Sequence, residues 1–158
     1  MIRKYTERDM EDMIRIWNEV VVEGNAFPQE ECLDMESGPA FFEAQSYTGV
    51  AEVDGQILGL YILHPNNVGR CGHICNASFA VSSEARGQHI GGKMVLDCME
   101  KGRGLGFQVL QFNAVVESNT HARHLYERLG FTELGTVPGG FRMKDGHYEN
   151  IVLYYHEL

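Results

Sequence analysis

No stretch of these 158 residues approaches the roughly 20 consecutive apolar residues that a membrane-spanning helix requires. The first residues, Met1-Ile2-Arg3-Lys4-Tyr5, lack the apolar core of a secretory signal, so a cytoplasmic protein is the expectation. Positive charge is scarce. Thirteen Lys and Arg stand against 22 Asp and Glu, and the net charge of -9 argues against nucleic acid or an anionic membrane as partner. Cysteine is scarce as well: Cys32, Cys71, Cys75 and Cys98 are scattered, with no zinc-finger spacing and no second ligand pair. On a strand, Cys71, His73 and Cys75 would share one face. Reduced, partly buried thiols are nevertheless the expectation, and no metal.

What is present suits one globular domain over residues 1–158, long enough for a core without staples. Residues 2–5 read as a short strand. Thr6 with Asp9 three residues on resembles a capping box. Met10, Met13, Ile14, Trp17, Val20 and Val21 then mark one helical face that ends near Gly24. Pro28 and Gly38-Pro39 interrupt the next segment, which carries helical turns near 30–35 and 40–45. Strands at 48–53 and 56–63 flank Asp54-Gly55, a dipeptide suited to a primed hairpin turn. The second of them is apolar on both faces, as a central strand is. Strands at 73–81 and 108–116 enclose a helix at 92–101. A helix with Ala122, Leu125, Tyr126 and Leu129 on one stripe stops at Gly130, and strands at 131–137 and 148–156 follow. The order βαα-βββ-α-β-α-ββ predicts an α/β (α+β) fold, a mixed sheet of six or seven strands with helices on both faces.

The chain is organised around Arg86-Gly87-Gln88-His89-Ile90-Gly91-Gly92-Lys93, between an apolar strand and a helix. Backbone N–H groups and the positive end of the helix dipole make such a turn a seat for phosphate. Two phosphate-loop types are missing. Gly92-Lys93 is followed by Met94, not by the Ser or Thr that a nucleotide-hydrolase loop needs for magnesium, and no Gly-x-Gly-x-x-Gly run exists. From residue 86 to 128 there are six Lys and Arg against four Asp and Glu, so this is the least acidic part of an acidic chain. An anionic cofactor fits there, while the surrounding field favours a cationic or zwitterionic acceptor.

Arg86-Gly87-Gln88-His89-Ile90-Gly91 resembles the pyrophosphate loop Arg/Gln-x-x-Gly-x-Gly/Ala of acyl-CoA N-acyltransferases, with His89 where the first spaced glycine would stand. A second block, running from Asn119 through Ala122 and Tyr126 to Gly130-Phe131, resembles the Asn-x-x-Ala-x-x-x-Tyr-x-x-x-Gly-Phe of the same GNAT superfamily. The resemblance implies acetyl-CoA lying in a V between the strands at 73–81 and 108–116. Backbone groups of Phe79, Ala80 and Val81 would then pair with the pantetheine arm. The turn from Arg86 through Gln88, His89, Ile90, Gly91, Gly92 and Lys93 would hold the pyrophosphate. Asn119 would touch the cofactor while capping its helix, and Tyr126 would protonate the departing thiolate.

Many relatives carry a carboxylate as general base on the strand before the loop; residues 73–81 contain no Asp or Glu. Amides stand there and in the next strand instead, Asn76 and Asn113, and buried amides need partners. Their positions, with Asn119, are similar to those of fungal proline-analogue acetyltransferases. That likeness implies that Asn76 and Asn113 orient a small amino or imino acid or polarise the thioester carbonyl; structural amide bonds across the gap are the alternative. His64, His73, Glu52 and Glu117 are the candidate bases. The expected activity is direct acetyl transfer from acetyl-CoA to the amine of a small molecule. A non-catalytic acyl-CoA sensor and a peptide or protein N-acetyltransferase are the alternatives, and a homodimer is left open.

Overall fold

The computed structural model describes residues 1–85 and 87–158. Strand β1 (Ile2–Lys4) leads through a 3-10 turn to α1 (Met10–Glu23) and α2 (Ser37–Glu43). Then come β2 (Tyr47–Val53), β3 (Gln56–Pro65), β4 (Ile74–Val81), α3 (Ile90–Gly104), β5 (Val109–Val116), α4 (Thr120–Arg128), β6 (Thr132–Arg142) and β7 (Tyr148–Glu157). The expected order and mixed sheet are observed. Seven strands form one sheet in the order β1-β2-β3-β4-β5-β7-β6. Every neighbouring pair is antiparallel except β4 and β5. Among the described residues, no helix is long and apolar enough to cross a membrane.

Two cores lie on opposite faces of the sheet. On one, α1 buries Met13, Ile14, Ile16, Trp17 and Val21 against Val50, Leu60, Ile62 and Ala80. Trp17 is enclosed by Phe27, Phe41 and Phe42 with ring centroids 4.4, 5.2 and 5.9 Å away. On the other, α3 buries Met94, Val95, Cys98 and Met99 against Tyr61, Cys75, Leu110 and Tyr154, and α4 adds Leu125, Tyr126 and Leu129 at its edge. β3 is buried on both faces along nearly its whole length, as its unbroken apolar run requires.

Local differences from the sequence reading have local causes. No helix forms at 30–35. Asp34 Oδ1 there accepts from the Glu36 and Ser37 amides at 2.9 and 2.7 Å, starting α2 later, and the Asn18 amide grips both backbone groups of Leu33. β6 runs past Gly139-Gly140 rather than ending at 137, absorbing them where its register against β7 slips between Val137 and Phe141. A Cβ on Gly140 would lie 2.5 Å from Ile151, so the bulge requires glycine there. Cys71 sits in a 3-10 turn before β4, exposed, while Cys75 is buried and donates to the Val109 carbonyl at 3.3 Å. The pair does not share a strand face with His73. Among the described residues no three His, Cys, Asp or Glu side chains gather as a metal site.

The capping-box expectation at Thr6 resolves into a wider knot. Asp9 accepts from the Thr6 amide at 2.8 Å and from both terminal nitrogens of Arg3 at 2.8 and 3.0 Å, and Arg3 Nε reaches Glu52 at 3.1 Å. The Arg3 hydrogen bonds, then the Thr6 amide, hold the Asp9 carboxyl below its ordinary pKa of 3.8 against the cost of burial. A depressed carboxyl stabilises the fold above its unfolded pKa and loses that contribution as pH falls through the folded value. Asp9→Asn should therefore cost about 2–3 kcal/mol at pH 7, because a nearly buried ion pair is left half-made. It should also flatten the acid limb of the stability curve below about pH 4. Chemical denaturation from pH 3 to 7 checks both; parallel wild-type and variant curves would contradict the linkage.

Candidate active site

β4 and β5 pair only at Ile74–Val109 and Cys75–Leu110, and beyond these two positions the strands part. β5 is held from its other side by β7, with a bulge between Phe112 and Val115 that leaves Asn113 and Ala114 outside the ladder. β4 is held by β3 along its length. The Ser82 amide bonds to the Leu58 carbonyl, and alternation then turns the peptide groups of Ala80 toward β3 and those of Ala77, Phe79 and Val81 toward the gap. The Ala77 amide is taken by Asn76 Oδ1 at 2.8 Å. Phe79 and Val81 thus present the free strand edge; Ala80 contributes a wall.

The turn after β4 is tight. The Ala85 amide bonds to the Ser82 carbonyl and the Gln88 amide to the Ala85 carbonyl, so Gln88 directs its N–H inward. Gly87 has φ +86 and His89 φ +58. His89 thus adopts the left-handed conformation a glycine would take, and keeps its own N–H while doing so. α3 begins at Ile90, two residues earlier than the apolar stripe indicates, and Lys93 is the first residue whose amide bonds back, to the His89 carbonyl. The amides of Ile90, Gly91 and Gly92 therefore have no partner within the helix. The first turn of α3 carries no acidic residue, and Lys93 is exposed beside it. Arg86, expected at the same phosphate seat, lies outside the described residues.

α4 starts at Asn119, whose Oδ1 accepts from the Ala122 amide at 3.2 Å as a helix cap. Two turns on, Tyr126 packs against Phe112, Phe131 and Tyr154 with centroids at 4.5, 5.6 and 5.9 Å. Its surroundings distinguish it from Tyr61 and Tyr154 of the same core. Tyr61 donates to Asp97 at 2.6 Å, and Tyr154 donates to Glu127 and accepts from Arg123, both at 3.0 Å. Among the described residues the Tyr126 hydroxyl has no hydrogen-bond partner. Burial pushes its pKa well above the ordinary 10, with Cys98 and Tyr154 adding to the shift.

The opposite face of the gap is polar. Asn76 and Ser78 on β4, and Gln111 and Asn113 on β5, alternate with the buried residues of the α3 core and so face the α1 side. Asn113 Nδ2 donates to Asn66 Oδ1 at 2.6 Å, and its Oδ1 accepts from Gln111 Nε2 at 3.0 Å. Sequence reasoning missed Gln111 and Asn66, although Gln111 carries the signal that singled out Asn113, an amide inside an apolar strand. His64 stands opposite Asn76 on this face. His73 is exposed at the closed end of the gap, and its carbonyl accepts from Gln108 and Val109. Glu52 is not brought to the gap; it sits on β2, bound to Arg3. Glu117 follows β5 and accepts from Asn150 at 2.8 Å. The connection after α1 meets the β6–β7 hairpin, with an ion pair between Glu30 and Arg142 and Lys144 packed against Gly24.

Residues 10–131 match the model of the Acetyltransferase (GNAT) family. The chain belongs to that family. N-acetyltransferase aca1 of Schizosaccharomyces pombe is 34% identical over 102 residues, 63% of this chain and 49% of that protein, so the match spans about half of that relative. Among solved structures, a GCN5-related N-acetyltransferase from Kribbella flavida is 31% identical with a TM-score of 0.91, covering 100% of this chain and 97% of that one. A ribosomal-protein-alanine N-acetyltransferase from Brucella melitensis is 26% identical with a TM-score of 0.93, covering 100% and 99%. The sheet with its parted parallel pair is thus the GNAT fold.

Proposed function

We propose that residues 1–158 act as one N-acetyltransferase domain, transferring acetyl from acetyl-CoA directly to the amine of a small amino or imino acid. The observation that carries this reading is the parting of β4 from β5 after two residue pairs. It leaves a free strand edge on β4 between that strand and β5, against which Tyr126 packs through Phe112. Acetyl-CoA supplies the thioester. The amides of Ile90, Gly91 and Gly92, with Gln88, His89 and Lys93 around them, hold its diphosphate, and the sequence motif assigns Arg86 to the same task. The gap-facing peptide groups of Phe79 and Val81 pair with the pantetheine arm as a further strand would, and Ala80 and Asn119 complete the lining. Tyr126 holds the proton that the sulfur takes as the carbon–sulfur bond breaks. Asn76 and Asn113 orient the acceptor, whose ammonium loses a proton before attack to His64 or to solvent.

The likeness to aca1, an N-acetyltransferase, supports transfer to nitrogen, and the amide-lined polar face of the gap supports a small polar acceptor of the amino or imino acid class. A protein N-terminus is the second reading, supported by the likeness to the Brucella enzyme. Thiol release from acetyl-CoA should be followed with amino acids, imino acids, polyamines and an alanine-initiated peptide. Turnover confined to the peptide would replace the small-molecule reading, and tight acetyl-CoA binding without any turnover would replace the enzyme by a sensor. Asn113→Ala should raise the acceptor KM about tenfold, the loss of one oriented hydrogen bond to a polar substrate. The acetyl-CoA KM should stay within about twofold. Loss of thermal stability alone, with both KM values intact, would reduce Asn113 to a structural amide.

A further inference from the structure

Three amides, two on β5 and one in the loop just beyond β3, meet on the acceptor face of the gap. Gln111 and Asn113 are two residues apart on β5, and Asn66 directly follows β3, its backbone amide fixed to the Ile74 carbonyl at 2.8 Å. Its side chain reaches across β4 to Asn113. We propose that Asn66, aided by Gln111, is a positioning residue that fixes the Asn113 carboxamide in one of its two flips, with an N–H left for the bound acceptor or the thioester carbonyl. The inference rests on the role given to Asn113 above and adds how that role is enforced.

A carboxamide is nearly symmetric in shape and opposite in polarity at its two ends. A free asparagine in an open gap would present oxygen or nitrogen with little preference. Here the oxygen end is occupied: Gln111 Nε2 donates to Asn113 Oδ1 at 3.0 Å, and Asn66 Nδ2 faces the same atom at 3.5 Å. The nitrogen end gives one hydrogen to Asn66 Oδ1 at 2.6 Å and keeps the second. With its acceptor capacity used, the side chain works as a donor, which matches an oxygen on its guest. The contacts are largely exposed, so they hold a side chain rather than the fold. Asn76 obeys the same logic by a different means: its oxygen is taken by the Ala77 amide, which leaves its nitrogen free.

The sense of the Asn66 contact can be set chemically. Aspartate at 66 can only accept, and so keeps the 2.6 Å bond; leucine has the shape and no polar atom. Asn66→Leu should lower kcat/KM for the acceptor about tenfold while the acetyl-CoA KM stays within about twofold, and Asn66→Asp should recover to within about threefold of wild type. The Asn113 side-chain NH2 signal, assigned by its loss in Asn113→Ala, should move toward the free-asparagine position in Asn66→Leu and stay in place in Asn66→Asp. If Asn66→Asp is as impaired as Asn66→Leu, or if Asn66→Leu is fully active while Asn113→Ala is not, the positioning role is overturned and the reading of Asn113 survives. If Asn113→Ala is itself fully active, the role of Asn113 falls and this inference falls with it.

Discussion

Tyr126→Phe should lower kcat about a hundredfold, the scale of a missing general acid, while the acetyl-CoA KM changes less than about threefold. The ring carries the packing against Phe112, Phe131 and Tyr154, and phenylalanine keeps it. The hydroxyl has no hydrogen bond to lose among the described residues, so stability should shift by less than about 0.5 kcal/mol. Chemistry and stability separate here because the Tyr126 hydroxyl, unlike those of Tyr61 and Tyr154, is not committed to a hydrogen bond among the described residues. Initial-rate kinetics with the best acceptor, beside a thermal melt, checks both halves. A fully active Tyr126→Phe would return Tyr126 to the core as an ordinary aromatic.

The pH dependence follows from the same surroundings. Burial raises the Tyr126 pKa above its ordinary 10, so the protonated phenol persists through the range where an amine acceptor loses its proton. The kcat/KM curve should rise with pH as the acceptor ammonium deprotonates, and no descending limb should come from Tyr126 within that range. The phenylalanine variant should keep the rise and lose only height.

Much of the fold was legible because periodicity survives in this chain. The stripe of α1, the Asp54-Gly55 turn and the doubly apolar β3 each follow from one local rule, and with turn and helix signals between them they give the element order. The failures came where side chains or distant strands overrode local preference. Asp34 and Asn18 organise 33–37 through side-chain bonds that no hydrophobic pattern encodes. Gly139-Gly140 reads as a loop until Ile151 on the next strand presses against it.

For the site, motif residues were readable and their division of labour was not. The family resemblance named Phe79, Ala80 and Val81 together; only the pairing with β3 assigns the middle peptide to the sheet and its neighbours to the gap. Tyr61, Tyr126 and Tyr154 are alike as letters, and partners decide which hydroxyl is free. Asn66 lies in a loop that looks like mere connection, because its meeting with Asn113 depends on the β3–β4–β5 order and on no local pattern. Glu52, a reasonable candidate base in one dimension, is claimed by Arg3 at the far side of the sheet.

Gly91→Asp should raise the acetyl-CoA KM about a hundredfold while leaving the protein as stable as wild type or slightly more so. Gly91 is the second residue of α3, and a Cβ there would lie 3.8 Å from Leu125 and 4.0 Å from Val81, ordinary contacts that require no repacking. A carboxylate at a helix N-terminus is favourable by about 0.3–1 kcal/mol, and replacing glycine reduces the entropy of the unfolded chain. The charge that suits the helix is the charge the diphosphate must displace. At about 5 Å and an effective dielectric near 20, two unit charges repel by about 3 kcal/mol, which corresponds to the hundredfold loss. Gly91→Ala separates charge from bulk: it keeps the amide and fills the same space, and should bind acetyl-CoA within about threefold of wild type. Added salt should recover part of the Gly91→Asp defect and little in Gly91→Ala, because screening acts on charge alone. Calorimetric titration with acetyl-CoA, run with a melting curve for each variant, decides the matter. Normal binding by Gly91→Asp would mean that the diphosphate lies elsewhere, and the start of α3 would be only the beginning of a helix.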